Sequence, residues 1–362
     1  MFKIKTVLTF LSVAITINYV LCCSTFNNTE MNTILEDKSF YKLILSGCIE
    51  RIAFYQDDIP RKISQIHITN QNVPALKKDS VRNMSKLKVF TIKNSGLSRI
   101  YPAMFRNVPR IEKVKFYENK LTEIPSGVFD GFTFKEISLH NNKINLIETN
   151  AFSSMENLQS LNLSHNDLDA MSRNWFYNLP NLTTVDFSYN KIRTIPTKIF
   201  IHARKVKYIY LDYNDISEIQ RIAFDGLPNL KYLGLKHNLL KRINENAFHS
   251  KFQYVDTLCI NSNRFSYLPE TLLQKISVKT INLDGNPWEC SCYRKIIKYL
   301  GDNEGRIVPS EECKNYDVPV CIVPTIPTDS CDEVEQDDVV REFYKQVDFL
   351  KKTDCVRFLE IL

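Results

Sequence analysis

Leucine, isoleucine and phenylalanine recur along most of this chain at fixed intervals, with polar residues between them. The clearest instance is Leu158-Gln-Ser-Leu161-Asn-Leu163-Ser-His-Asn166-Asp-Leu168. Apolar side chains hold its first, fourth, sixth and eleventh positions, and an asparagine holds the ninth. The pattern returns at a spacing of about 24 residues. Its first positions are Ile63, Leu87, Ile111, Phe134, Leu158, Leu182, Val206, Leu230, Val255 and Val278. Within each unit the middle apolar positions alternate with polar ones, which is the period of a short strand. Residues 63–288 are therefore expected to form one array of stacked turns. Each unit packs on its neighbours, so the usual inference of several domains from 362 residues does not apply.

Two further series share the period. Gln71 and Ser95 are followed by Asn119, Asn142, Asn166, Asn190, Asn214, Asn238, Asn263 and Asn286. An asparagine leaving a strand can satisfy backbone groups at the bend, and these amides are expected to stack and bond from unit to unit. On the return side, Phe105, Phe129, Phe152, Phe176, Phe200, Phe224 and Phe248 should form a spine. Ile100, Ile124, Ile147, Ile195, Ile219 and Ile243 should fill the layer between strand and spine.

The spelling L-x-x-L-x-L-x-x-N-x-L is the signature of leucine-rich solenoids. The expected fold class is an α/β solenoid: a leucine-rich repeat horseshoe of about ten units with a parallel concave sheet. Residues 23–62 should cap its N-terminal end, with Cys23 paired to Cys48. At the other end stands Asn286-Pro-Trp-Glu-Cys-Ser-Cys292, with Trp288 as an apolar lid. Helical spacing follows over Tyr293 to Leu300. A disulfide-bonded C-terminal cap is expected over 289–331. Its first assignment joins Cys290 to Cys313, and Cys292 to Cys321 or Cys331, with Cys331 the first choice; spacing alone leaves the pairing open. Residues 332–362 form an acidic segment and a short tail helix. In that helix Val340, Phe343, Val347 and Leu350 make a seam that either meets a partner or folds back on the cap.

Composition narrows the function. A formal charge of +6 is too small for a nucleic-acid footprint. Residues 1–22, with Lys3 and Lys5 before the apolar run Val7–Leu21, read as a cleaved export signal, and no later segment is long and apolar enough to span a bilayer. Ten cysteines suit an oxidising compartment. Asn27, Asn83, Asn162 and Asn181 begin glycan acceptor tripeptides. The product is thus expected to be a secreted glycoprotein. The histidines (His67, His140, His165, His202, His237 and His249) lack metal-site spacing, and no phosphate loop or nucleophile elbow is present. His140 and His165, one unit apart, are read as surface residues. No catalytic residue, cofactor or metal is expected.

What remains is the surface of the strands, the usual binding face of such solenoids. Early units place Lys88, Lys93, Lys113, Lys115 and Lys135 there, tempered by Glu112, Glu118 and Glu136. Later units place Tyr189, Tyr208, Tyr210, Asp212, Tyr213, Tyr232, Lys236 and His237. Converging tyrosines resemble a protein-binding hot spot. Asn162 stands mid-face, so a glycan there would shift binding to later units. Cys259 points from the strand face without a periodic partner. Both it and Cys355 are candidates for a link between chains.

The repeat array and the Asn286–Cys292 segment make the chain resemble extracellular leucine-rich proteins of insects. The order of signal, repeats, cysteine-rich cap and helix is similar to the short leucine-rich immune proteins of mosquito haemolymph. That resemblance implies complement-like innate defence, in which disulfide-linked pairs hold thioester-containing proteins. The alternative is a matrix or developmental signalling protein controlling adhesion or receptor activity.

Overall fold

The computed structural model describes residues 25–356 except 48, 51–61, 154, 249–252, 317, 319, 325–330, 332–336 and 351–352. Cys23, Cys48 and His249 lie outside the described residues, as does the export segment. The N-terminal cap is a hairpin of β1 (Phe26–Leu35) and β2 (Phe40–Gly47), antiparallel to one another. β1 then pairs antiparallel with the first strand of the array, β3 (Ile63–Thr69). This covers the apolar end that an unpartnered first unit would expose.

From β3 onward all pairing in this sheet is parallel. The strands are β4 (Val89–Lys93), β5 (Lys113–Tyr117), β6 (Glu136–Ser138), β7 (Ser160–Asn162) and β8 (Thr184–Asp186). They continue as β9 (Tyr208–Tyr210), β10 (Leu230–Gly234), β11 (Gln253–Cys259), β12 (Ile276–Asn282) and β13 (Arg306–Ile307). Together they form one 13-stranded sheet in the order β2-β1-β3 and then straight through to β13. The register places equivalent positions side by side, as in Leu161, Val185, Ile209 and Leu233. All four are fully buried, and one continuous core runs from Phe26 to Leu300.

The asparagine ladder forms, by a different bond from the one expected. Amides do not bond amides; each reaches backbone on both sides of its own bend. Asn190 Oδ1 accepts from Leu168 N of the preceding unit, and its Nδ2 donates to Leu163 O and Phe187 O. Asn166, Asn214, Asn238 and Asn263 repeat this arrangement. Gln71 carries the series into the cap by accepting from Glu30 N of β1. The residue before each ladder position adopts positive φ, from Asn94 and Glu118 through His165, Tyr189, Tyr213 and His237 to Gly285. The left-handed conformation disfavours side chains with a Cβ, and the ladder bonds hold it in place.

The phenylalanine spine is buried throughout. Phe129 stacks on Phe152 at 5.8 Å, Phe176 lies 5.0 Å from Phe200, and Phe224 lies 5.2 Å from Phe248. Met171 takes the layer position that isoleucine holds in the neighbouring units. Beside it Trp175 donates its indole N–H to Ile147 O. Past the array, Trp288 stacks on Phe265 and donates to Leu283 O, closing the last turn. Helix α1 (Glu270–Lys275) forms the return side of the last unit but one, where the pattern predicts no helix. Helix α2 (Cys290–Asp302) starts earlier than the Tyr293–Leu300 expectation. Glu289 explains this, since its side chain accepts from Ser291 N and Cys292 N at the helix start.

The cap's disulfides differ in part from the first assignment. Cys290 bonds Cys321, Cys292 bonds Cys331, and Cys313 bonds Cys355. Cys290 cannot take Cys313, because Cys313 has moved across the strand side of the array with the segment after β13. The tail helix α3 (Asp337–Gln346) folds back. Its Val339, Phe343 and Val347, with Leu350, Cys355 and Val356, make a second small core with Cys313 and Ile322. The seam is therefore internal, which removes it as a surface for tail-mediated pairing of chains.

Candidate protein-binding face

Three rows of side chains cross the late strands. Strand register aligns the third positions Ser160, Thr184, Tyr208 and Tyr232, and the fifth positions Asn162, Asp186, Tyr210 and Gly234. The eighth positions form a stack of rings along the rim. His165 lies 4.0 Å from Tyr189, Tyr189 lies 4.3 Å from Tyr213, and Tyr213 lies 4.2 Å from His237, with their planes nearly parallel. Left-handed backbone at each of these residues projects successive rings in the same direction. Tyr189 and Tyr208 are 43% and 40% exposed, while Tyr210, Tyr213 and Tyr232 are half-buried. Tyr210 lies 4.8 Å from Tyr232. Five of the expected binding residues thus share one accessible face.

The other three do not. After β13 the chain turns back over the strands as a strap. Asn282 donates to Val308 O, and Ser310 donates through N and Oγ to Asp284. Glu312 forms an ion pair with Lys236, two units back. The disulfide to Cys355 pins the strap, and Cys355 O accepts from Ser262 Oγ. Gly285 lies so close to that carbonyl that a Cβ would meet it at 2.3 Å. His237 and Asp212 are left 5% and 6% exposed, and the Lys236 ammonium is occupied. Asp212, Lys236 and His237 therefore belong to the junction with the strap rather than to open surface.

Burial at that junction shifts the charges. It pushes the Asp212 carboxyl up to about 7, against the Lys236 N–H, which donates to it. Asp212 packs over Gly234, where a Cβ would lie 2.6 Å from both carboxylate oxygens. Tyr232 and Tyr213 are also raised, chiefly by burial. Cys259, the one free cysteine among the described residues, is 7% exposed and donates to Asn282. Burial pushes its thiol up to about 11. It presents no surface for an interchain link, and neither does Cys355, which is buried and already bonded. Strap and tail explain both corrections.

Early units are electrostatically closed. Lys93 pairs with Glu118, Lys113 and Lys115 both pair with Glu136, and Lys135 pairs with Glu112. The lysine-rich patch is thus largely neutralised within the chain. His140 and His165 are not equivalent: His140 stands two residues before its ladder asparagine and stacks on Tyr117, whereas His165 stands one before and stacks on Tyr189. They form no dyad. Among the acceptor asparagines, Asn27 is exposed, and Asn83 accepts from Asn107. Asn162 Oδ1 accepts from Ser164, and Asn181 donates to Glu156 O on the opposite edge. Glu289, Cys292 and Cys331 lie together, but the disulfide occupies both sulfurs.

Fold and face define a leucine-rich repeat solenoid with a disulfide-bonded C-terminal cap. The chain belongs to the BspA type leucine rich repeat region family, whose sequence profile matches in six copies over residues 23–143 and 122–255. That profile describes a repeat region and indicates no catalytic family. The human NT-3 growth factor receptor is 33% identical over 89 residues, covering 24% of this chain and 11% of the receptor. Bovine asporin is 23% identical over 95 residues, 26% of each protein. The chain thus spans only a minor part of these relatives. Among solved structures, the mouse RP105/MD-1 complex matches with a TM-score of 0.56 at 21% identity, covering 67% of this chain and 42% of that one. The Drosophila Toll–Spatzle complex matches with a TM-score of 0.52 at 17% identity, covering 68% and 38%. At these identities the likeness is one of fold. No helix among the described residues is long and apolar enough to cross a membrane.

Proposed function

We propose that the protein is an exported, non-catalytic recognition or scaffold protein that binds a protein partner through its late concave strands in complement-like innate defence. The observation that carries this reading is the exposure of Tyr189 and Tyr208 beside Tyr210, Tyr213 and Tyr232 on one sheet face. Tyrosine combines large contact area with a polar tip, which suits protein recognition. Export is supported by the basic and apolar N-terminal residues and by the three disulfides among the described residues. Protein binding is supported by the solved complexes of similar fold, named for Toll with Spatzle and RP105 with MD-1. The resemblance to mosquito leucine-rich immune proteins makes a thioester-containing protein the partner to test. A glycan on Asn162 bounds the binding face on its early side.

Surface plasmon resonance with a purified thioester-containing protein tests this. Tyr208→Ala with Tyr210→Ala should weaken binding at least tenfold, with circular dichroism unchanged. Undiminished affinity in that variant rejects the face. The matches to a growth factor receptor and to asporin favour a second reading, in which the chain tunes adhesion or receptor signalling. Induction by infection and recovery from haemolymph support the first reading; recovery from tissue matrix without induction supports the second.

A further inference from the structure

Charge is distributed unevenly over the strands. On the early face Glu112, Glu118 and Glu136 each have a lysine within 3.2 Å. Asp186, at the centre of the late face, has none. It is half-buried, between Asn162 and Tyr210 in the fifth-position row. One of its oxygens accepts from Ser188 N and Oγ at 3.0 and 2.6 Å. No lysine, arginine or histidine nitrogen among the described residues lies within ion-pair distance of it. Other carboxylates lie near it: Asp212 beside it, which burial keeps partly protonated at neutral pH, and Asp354 in the tail. The lysine of this region, Lys236, is taken by Glu312. The tyrosines register this field, since after burial the next influences on Tyr210 and Tyr213 include Asp186, Asp212, Glu312 and Asp354. A chain of net charge +6 thus carries a locally negative, ring-lined window.

The window is narrow. It extends from β7 to the Lys236–Glu312 contact with the strap, so β8, β9 and β10 form its floor. At roughly 4.8 Å between neighbouring strands it is about 10–15 Å wide. That width suits a single protruding loop.

We infer that this window receives a cationic side chain, an arginine or lysine on a protruding loop of the protein partner, with its charge on the Asp186 carboxylate and its stem against the Tyr208 and Tyr210 rings. The inference rests on the late strands being the binding face and specifies the chemistry they select. A cation over tyrosine rings beside a carboxylate satisfies both features of the site, because the ring faces and the anion attract the same charge. Arginine suits it best, since its planar group stacks on a ring while its N–H donors reach a carboxylate. Neutral or acidic loops would leave Asp186 half-buried and unpaired, or repel it.

Disulfide-constrained seven-residue loops displayed on phage, panned against the immobilised full chain, test this. The enriched loops should carry arginine or lysine. Their binding should fall at least tenfold with Asp186→Ala, fall with Tyr208→Ala, weaken with added salt, and stay unchanged with Glu123→Gln on the opposite surface. Loops that lose binding with Tyr208→Ala but ignore Asp186→Ala, or that carry no cation, overturn this inference and leave the binding face standing. Loops indifferent to both substitutions, or no enrichment, overturn both.

Discussion

Replacing Asn190 with alanine tests how the array is held together. Its side chain makes three close bonds to backbone: Oδ1 accepts from Leu168 N, and Nδ2 donates to Leu163 O and Phe187 O, each at 3.0 Å. The two carbonyls keep a second partner in the variant, because Asn166 also donates to Leu163 O and Asn214 to Phe187 O. Leu168 N–H does not, and Leu168 is 1% exposed. An orphaned buried amide costs about 1–3 kcal/mol, and each lost bond to a still-satisfied carbonyl costs about 0.5–1.5 kcal/mol. The expected loss is therefore roughly 2–6 kcal/mol. Asn190→Asp should lose at least as much, since it replaces the donor by an acceptor facing carbonyl oxygens. Equilibrium urea unfolding followed by circular dichroism measures the change, with exposed Asn145→Ala as the control. A loss for Asn190→Ala no greater than for Asn145→Ala would refute the ladder as a source of stability.

Two further outcomes concern the strap. The folded-state pKa of Asp212, about 7, stands above its unfolded value, so folding takes up a proton between them. Its contribution is favourable below pH 4 and is lost as pH rises through 7. Asp212→Asn should flatten that slope and gain at least about 1 kcal/mol at pH 8, given about 1.4 kcal/mol per pKa unit; an unchanged pH profile in thermal unfolding contradicts it. The buried Cys259 thiol reports on the strap directly, and Cys313→Ser with Cys355→Ser should speed its reaction with a disulfide reagent at least tenfold, whereas equal rates would show that the strap stays closed without its bond.

The array was legible because each unit repeats the same inward positions, so leucine, phenylalanine and asparagine declare themselves by period alone. The strap was not. Glu312 and Lys236 lie 76 residues apart, and neither carries a local sign of the other. Only two glycines hinted at it. Gly285 holds a ladder-preceding position that residues with side chains fill in every other unit, and Gly234 leaves the space that Asp212 occupies. The pairing of cap cysteines failed for the same reason, since Cys313 follows the strap rather than its nearest neighbours in sequence. The tyrosines could be read individually, but their ring stack could not. It depends on left-handed backbone at the eighth position, a conformation that residues as different as Asn94, Glu118 and Tyr213 adopt here.

Hydrogen–deuterium exchange on the chain bound to its partner tests the central claim most directly. Protection should concentrate on residues 184–190, 208–213 and 230–234, leaving the phenylalanine side unchanged. Protection confined to the phenylalanine side, or to β1 and β2, would contradict a binding face on the late strands.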